Sequence, residues 1–172
     1  MFVKTKDIKR IFDKLSESGL TISTMESCTG GYLVSSLTNV EGSSKYVKGS
    51  IVSYCNDMKL KYGVDTIDKY GVYSVETATS MAKNVKKVFD SDIGIGVTGT
   101  FRNIDNENWG SIKGRVYYCI YIEKRVRSLI NPENYTVVGE VNIPKTILSN
   151  RKLSKAFVTI KILKCLDKLP ID

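Results

Sequence analysis

The chain has 172 residues, of which 42% are hydrophobic, and it contains no histidine. This length is enough for one domain with a substantial buried core, and the lack of histidine excludes Ser-His-Asp triads, Cys-His dyads and histidine metal sites. The formal charge of +8 comes from lysines dispersed over the whole length, which a solvated surface explains better than a nucleic-acid site does.

The first twelve residues alternate apolar and charged positions, unlike a secretory signal, and no later run approaches the roughly 20 apolar residues of a membrane span. The sequence therefore predicts a cytoplasmic protein that does not bind membranes. Within this segment Thr5 is predicted to cap a helix that Gly19 ends. The apolar positions of this helix form one stripe: Ile8, Ile11, Phe12 and Leu15.

Strands and helices are predicted to alternate along the rest of the chain. Residues 20–25 form a strand pattern, Gly30 and Gly31 open a second helix, and residues 48–56 form another strand pattern. Ser74 is predicted to cap a helix that carries Val75, Ala78, Ala82, Val85 and Phe89.

The second half of the chain begins with a buried strand pattern at residues 92–99 that ends in a glycine turn. Two further strand patterns follow at residues 114–123 and 135–143, joined by a turn around Asn131-Pro132, before an apolar-striped helix at the C-terminus. This alternation predicts a single α/β domain over residues 1–172, a three-layer α/β/α sandwich whose mixed, mostly parallel sheet has about five strands.

Four scattered cysteines, without any C-x-x-C pair, support neither a disulfide framework nor a metal site, and no cofactor is indicated. A reactive thiol at Cys28 or Cys55 stays an alternative that requires a base and an orienting partner.

Two segments concentrate residues that could carry chemistry. In the first, residues 26–31, hydroxyl groups and two glycines lie between a strand and a helix, where free backbone N–H groups could hold an anion or oxyanion. The second brings together Ser43 and Ser44, then Tyr54, Asn56 and Lys59. In a chain without histidine, a serine nucleophile requires another base, and a lysine serves only when burial or a nearby cation keeps it neutral.

These segments resemble the C-terminal domain of the CinA family. The matching motifs are ESCTGG at residues 26–31, GSS at 42–44, YCNDMK at 54–59, GVYS at 71–74 and VTG at 97–99. The resemblance implies an α/β/α sandwich. It also implies a metal-independent amidohydrolase of the nicotinamide mononucleotide deamidase type, which acts in pyridine nucleotide salvage and NAD metabolism.

Carried over motif by motif, the resemblance makes Ser44 the nucleophile, Lys59 its base and Tyr54 an assisting hydroxyl. It implies a small phosphorylated nucleotide as substrate, and Arg151 as the contact of its phosphate. The other substrate-binding positions implied by the motifs are Ser27, Thr29, Gly30, Gly31, Asn56, Thr98 and Gly99. A homo-oligomer is compatible with the sequence.

The chain departs from the family pattern after the VTG motif. The glycine-rich IAGP and KPVGTV segments are replaced, and Arg102, Lys113 and Arg115 stand in this region. Either these cations face the cleft and bind the substrate phosphate, or the segment is a polar surface excursion. This departure leaves open a second function, a catalytically weakened nucleotide-binding or regulatory protein of the same family.

Overall fold

The computed structural model describes residues 3–123 and 135–169, and its strands form one mixed sheet in the order β2-β1-β3-β4-β5. The strands are β1 (Ile22–Glu26), β2 (Val47–Val52), β3 (Ile93–Gly99), β4 (Arg115–Ile122) and β5 (Tyr135–Asn142). β1 pairs in parallel with both β2 and β3, whereas the β3–β4 and β4–β5 pairs are antiparallel. The prediction of a mixed five-stranded sheet is confirmed, and the turn predicted around Asn131-Pro132 lies outside the described residues.

Helices cover both faces of this sheet. They are α1 (Thr5–Ser18), α2 (Tyr32–Leu37), α3 (Asn56–Lys61), α4 (Ile67–Tyr70), α5 (Val75–Phe89), α6 (Lys145–Leu148) and α7 (Arg151–Asp167). The helix α5 packs against one face, while α1, α2 and α7 share a hydrophobic cluster with the other face. The predicted three-layer α/β/α sandwich is therefore confirmed. No helix within residues 3–123 and 135–169 is long and apolar enough to cross a membrane.

The central strand β3 is buried along its whole length and shows how the two faces differ. Its residues Ile93, Ile95 and Val97 belong to the larger core on the α1/α7 side. On the other side, a Cβ atom placed on Gly96 would lie only 2.0 Å from the Ala78 carbonyl oxygen of α5. Glycine at this position lets the helix approach the backbone of the sheet.

The helix ends agree with the sequence patterns in all but one case. Gly19 ends α1 with a left-handed φ of 66°, and the Ser74 side chain accepts a hydrogen bond from the Thr77 N–H at the start of α5. The residue that caps α1 is Lys4, however, and no side chain accepts from this helix end. The prediction of Thr5 as the cap was wrong, because Thr5 already has helical geometry as the first residue of α1.

The strand predicted for residues 48–56 ends four residues early, at Val52. The Ser53 N–H still donates to the Glu26 carbonyl oxygen at 2.9 Å, but β1 ends at Glu26 and offers no further partner. The chain then turns, and Asn56 begins α3. Lys59 therefore lies one turn inside a helix.

Candidate active site

A cleft lies at the carboxyl ends of the parallel strands β1, β2 and β3, where ligands of open α/β sheets commonly bind. It has two adjoining lobes of about 250 and 340 Å³. The first is bordered by the start of α7 and the β3–β4 loop (residues 100–114), and the second by α3 and the same loop. The side chains shared by both lobes are Ser27, Tyr54, Tyr73 and Asp105.

A lysine and a serine meet at the floor of this cleft. Ser27 follows the last residue of β1, and Lys59 is carried on the inward face of α3. The Lys59 Nζ atom lies 3.3 Å from the Ser27 Oγ and donates a hydrogen bond of 2.8 Å to the Ser53 carbonyl oxygen. Lys59 is 1% exposed and Ser27 is 7% exposed, so both groups are held in fixed positions by their surroundings.

Burial lowers the pKa of Lys59 below its ordinary value, because the charged ammonium loses its hydration. The electrostatic influence of Cys55, Cys28 and Asp105 acts in the opposite direction and is weaker. No salt bridge to Lys59 is found among the described residues. A neutral amine has a lone pair that can accept the proton of the Ser27 hydroxyl.

Ser44, predicted as the nucleophile, lies at the other end of the sheet. It belongs to a 3₁₀ turn (Ser43–Lys45) that precedes β2, and the parallel register aligns Val47 with Ile22 and Val52 with Glu26. The length of β2 separates this turn from the edge that carries Lys59, roughly 16 Å at about 3.3 Å per residue. The prediction that Ser44 is paired with Lys59 was therefore wrong, and Ser27, predicted only to bind substrate, takes that position.

The glycine turn after Ser27 does not present the free N–H groups that the sequence suggested. The Glu26 carboxylate, fully buried, accepts hydrogen bonds from the N–H groups of Gly31, Leu33 and Val34 at 3.0, 3.0 and 2.8 Å. The Gly30 N–H donates to the Ser27 carbonyl oxygen at 3.0 Å. These groups stabilise the start of α2, which corrects the prediction of an anion cradle made by Gly30 and Gly31.

Three further residues of the predicted site are placed as follows. Thr29 is fully buried, and its hydroxyl has no hydrogen-bond partner among the described residues. The Thr98 hydroxyl donates to the Val72 carbonyl oxygen at 2.9 Å, so it holds two segments together and does not line the cleft, contrary to the prediction. Gly99 borders the first lobe.

Of the predicted site residues, Tyr54, Asn56 and Arg151 all border the cleft. The Arg151 guanidinium donates to the Tyr54 hydroxyl and lies over the Phe101 ring, 5.2 Å from its centroid. The Asn56 amide donates to the Asn108 side-chain oxygen at 2.7 Å and so attaches the β3–β4 loop to α3. One turn along α7, Lys155 brings its Nζ to within 2.8 Å of where a Cβ on Gly30 would lie.

The three cations of the β3–β4 region do not border the Ser27–Lys59 cleft. Arg102 and Lys113 line a separate cavity of about 400 Å³ together with Lys145, and the Arg115 Nε forms a salt bridge of 3.1 Å with Glu140. Of the two alternatives, the one in which these cations face the cleft is therefore excluded. The loop is not a free excursion either, since it reaches the cleft through Asp105.

Tyr73 and Asp105 are site residues that sequence reasoning missed. The Tyr73 hydroxyl donates to the Asp105 carboxylate, and this hydrogen bond is the main cause that lowers the pKa of Asp105. Burial, with the same hydrogen bond, raises the pKa of Tyr73. The GVYS motif pointed to Tyr73 only as part of a helix start, and Asp105 lies where the family pattern is lost.

The alternative of a reactive thiol is excluded for Cys28. This residue is 5% exposed, and burial raises the pKa of its thiol to about 12, which keeps the thiol protonated. Cys55 is exposed and borders the second lobe. Within the described residues, no group of three or more acidic or cysteine side chains is arranged to hold a metal ion.

Comparison with known proteins gives the same picture of the fold. The family described as the CinA C-terminal domain matches residues 4–131. A CinA-like protein of Petrotoga mobilis is 42% identical over 127 residues, which is 70% of this chain and 30% of that protein. A CinA-like protein of Shewanella halifaxensis is 38% identical over 129 residues, 67% of this chain and 30% of that protein. The chain thus spans less than a third of the length of these relatives.

Solved structures resemble the chain over nearly its whole length. A competence/damage inducible protein from Agrobacterium tumefaciens superposes with a TM-score of 0.76 at 24% identity, covering 98% of this chain and 99% of that one. A competence-damaged protein (CinA) superfamily protein from Klebsiella pneumoniae superposes with a TM-score of 0.77 at 16% identity, covering 95% of this chain and 94% of that one. At such low sequence identity, these superpositions establish a shared fold and nothing further.

Proposed function

The chain belongs to the CinA C-terminal domain family, and we propose that it is a metal-independent amidohydrolase that converts nicotinamide mononucleotide to nicotinate mononucleotide and ammonia. The observation that carries this proposal is the contact of 3.3 Å between the buried Lys59 Nζ and the Ser27 Oγ. This pair supplies a nucleophile and a base in a chain that has no histidine. The cytoplasm is the compartment that suits such a nucleotide substrate.

The proposed reaction has two stages. Lys59 accepts the Ser27 hydroxyl proton while the Ser27 oxygen bonds to the amide carbon, and the Lys59 proton then passes to the amide nitrogen as the C–N bond breaks. Ammonia leaves, and the nicotinoyl group stays on Ser27 as an ester. Lys59 next takes a proton from water, the resulting hydroxide attacks the ester carbon, and this proton passes to the Ser27 oxygen as the ester bond breaks. The carboxylic acid product then loses its own proton to solvent and becomes the carboxylate.

Two cations at the start of α7 suit the substrate phosphate. Arg151 borders the first lobe, and Lys155 follows at the i+4 position of the same helix, so both point from one side. Guanidinium and ammonium groups form charge-assisted hydrogen bonds with phosphate. We propose that this end of the cleft holds the phosphate while the amide reaches Ser27.

The test is ammonia release from nicotinamide mononucleotide by the purified protein, without added metal and in the presence of a chelator. We expect stoichiometric formation of ammonia and nicotinate mononucleotide at an unchanged rate with the chelator. The Ser27→Ala variant is the control for contaminating amidases. The proposal fails if the wild-type protein binds the substrate yet releases no more ammonia than this variant.

A second candidate is a nucleotide-binding or regulatory protein with weakened catalysis. It is favoured by the Glu26 contacts, which occupy the N–H groups of Gly31, Leu33 and Val34 that could otherwise stabilise an oxyanion. Binding of nicotinamide mononucleotide measured by calorimetry, without turnover in the ammonia assay, would select this candidate.

A further inference from the structure

The cleft carries charges of both signs, placed on different walls. Arg151 stands at the α7 side of the first lobe, while Asp105 comes from the β3–β4 loop and borders both lobes. Ser27 is also common to both lobes, so the nucleophile and the Asp105 carboxylate face the same space. A ligand whose reactive carbon lies at Ser27 therefore passes close to a negative charge.

The Asp105 carboxylate is fixed by neutral hydrogen-bond donors. Its Oδ2 accepts from the Tyr73 hydroxyl and from the Asn108 amide at 2.8 Å, and its Oδ1 accepts from the Glu107 N–H at 3.0 Å. The Asp105 N–H donates to the Ser111 hydroxyl at 2.8 Å, which anchors its backbone. These donors orient the carboxylate without neutralising it, and they keep it ionised at neutral pH.

No cation of the described chain pairs with this carboxylate, since the salt bridges within residues 3–123 and 135–169 do not include Asp105. Two other carboxylates, Asp57 and Glu107, border the second lobe only, and both are exposed to solvent. Asp105 is half-buried, so its charge is less screened by water than theirs. Among the carboxylates that border the cleft, it alone borders both lobes, as Ser27 does.

We propose that Asp105 recognises a positively charged ring on the substrate, so that the cleft selects quaternary pyridinium amides over neutral amides of the same shape. This inference rests on the proposed function and adds a specificity-determining residue to it. A zwitterionic substrate matches the two walls: its phosphate lies toward Arg151, its amide lies at Ser27, and the cationic ring between them lies beside Asp105. The Tyr73 ring also borders both lobes, and aromatic rings attract cations.

The test compares nicotinamide mononucleotide with its reduced dihydro form, which has the same amide, ribose and phosphate but an uncharged ring. Dissociation constants are measured by calorimetry in a Ser27→Ala background, so that neither ligand is consumed. Asp105→Asn removes the charge and keeps an acceptor for the Tyr73 hydroxyl. Glu107→Gln is the matched control, because it removes the same charge two residues further along the loop. Glu107 borders only the second lobe.

We expect Asp105→Asn to weaken binding of the charged ligand by about tenfold and binding of the reduced ligand by less than about twofold, the scale of one partly desolvated charge pair. Glu107→Gln is expected to change the ratio of the two constants by less than about twofold. An equal loss for both ligands would overturn the inference, since it would indicate a structural role for Asp105. If wild-type protein releases ammonia but the ratio does not respond to Asp105→Asn, the inference alone fails. If neither ligand binds, the proposed function fails with it.

Discussion

Lys59 is the bulkiest of the side chains that the structure buries completely, and it is the base of the proposed reaction. A lysine in such a position is unfavourable for folding when charged, since its ammonium loses hydration and gains no salt bridge within the described residues. Among the described residues, its Nζ atom forms hydrogen bonds only with the Ser27 hydroxyl and the Ser53 carbonyl oxygen. The arrangement favours the neutral amine, which is the form that a base requires.

Two alanine substitutions distinguish Ser27 from Ser44 as the nucleophile. Ser27→Ala is expected to lower kcat by about 10³-fold or more, because it removes the nucleophile and leaves the surrounding packing intact. Ser44→Ala, at the opposite edge of the sheet, is expected to keep kcat within about twofold, as exposed substitutions remote from a site usually do. Ammonia release measures both. The reverse result would restore the assignment based on the GSS motif.

The pH dependence of kcat/KM reports on Lys59. Because its pKa is lowered in the folded protein, activity is expected to rise as the pH is raised through that pKa, at a pH below the ordinary lysine value of 10.5. The Lys59→Arg substitution is expected to lower kcat/KM by about 10²-fold or more, since guanidinium stays protonated at these pH values. A profile that is flat from pH 6 to 10, or an active Lys59→Arg enzyme, would exclude lysine as the base.

At the scale of elements, the turn from β1 into α2 depends on one carboxylate. Glu26 is the last residue of β1 and is fully buried, yet its oxygens reach three N–H groups at the start of the helix. The helix α2 has only six residues, so little of its stability can come from its own backbone hydrogen bonds. The position of Ser27 next to this carboxylate therefore depends on Glu26.

Glu26→Gln is expected to lower the free energy of unfolding by about 2 kcal/mol, because the amide group brings donors to a place that requires acceptors. Glu76→Gln is the matched control: Glu76 also lies in the first turn of a helix, but it is exposed. We expect its effect to stay within about 0.5 kcal/mol. Urea denaturation followed by circular dichroism provides both values, and equal effects would exclude the buried contacts as the cause.

Helices with a clear apolar stripe or a capping residue were predictable from the sequence. Which distant segments lie beside each other in the sheet was not. The stripe of α1 and the Ser74 cap of α5 located both helices to within a residue. The placement of Ser27 beside Lys59 required the pairing of β1 with β2, which are distant in sequence. In a parallel pair, residues that precede a strand lie at the opposite edge from residues that follow it. Applied to the GSS motif, this rule alone would have separated Ser44 from Lys59.

At the scale of the whole molecule, the cleft is assembled from segments that are distant in sequence. Ser27 follows β1, Lys59 lies in α3, Asp105 lies in the β3–β4 loop, and Arg151 begins α7. The helix α7 reaches this place because its apolar side, including Ile162 and Leu166, packs in the same core as α1. The family match ends at residue 131, so the Arg151 contribution comes from outside the matched region.

Arg151→Ala is expected to raise KM for nicotinamide mononucleotide by about tenfold and to change kcat by less than about threefold, since the phosphate is bound equally in the ground and transition states. Arg10→Ala is the control, because Arg10 pairs with Asp167 at the far end of α7 and touches no part of the cleft. Its KM is expected to match that of the wild type. A fall in kcat with an unchanged KM in Arg151→Ala would assign Arg151 to the chemical step instead.

The exposed thiol at the entrance to the second lobe makes the cleft accessible to covalent chemistry from outside. Cys55 is exposed beside Lys59, whereas Cys28 and Cys119 are buried and Cys165 is half-buried. Iodoacetamide is therefore expected to alkylate Cys55 first, and the added group would obstruct the lobe and abolish the proposed amidohydrolase activity. Mass spectrometry of partly alkylated protein can follow modification against residual activity. Saturating nicotinamide mononucleotide should slow the alkylation of Cys55 and the loss of activity to the same extent. The Cys55→Ser variant should resist inactivation by iodoacetamide. These two results would show that the substrate occupies the second lobe.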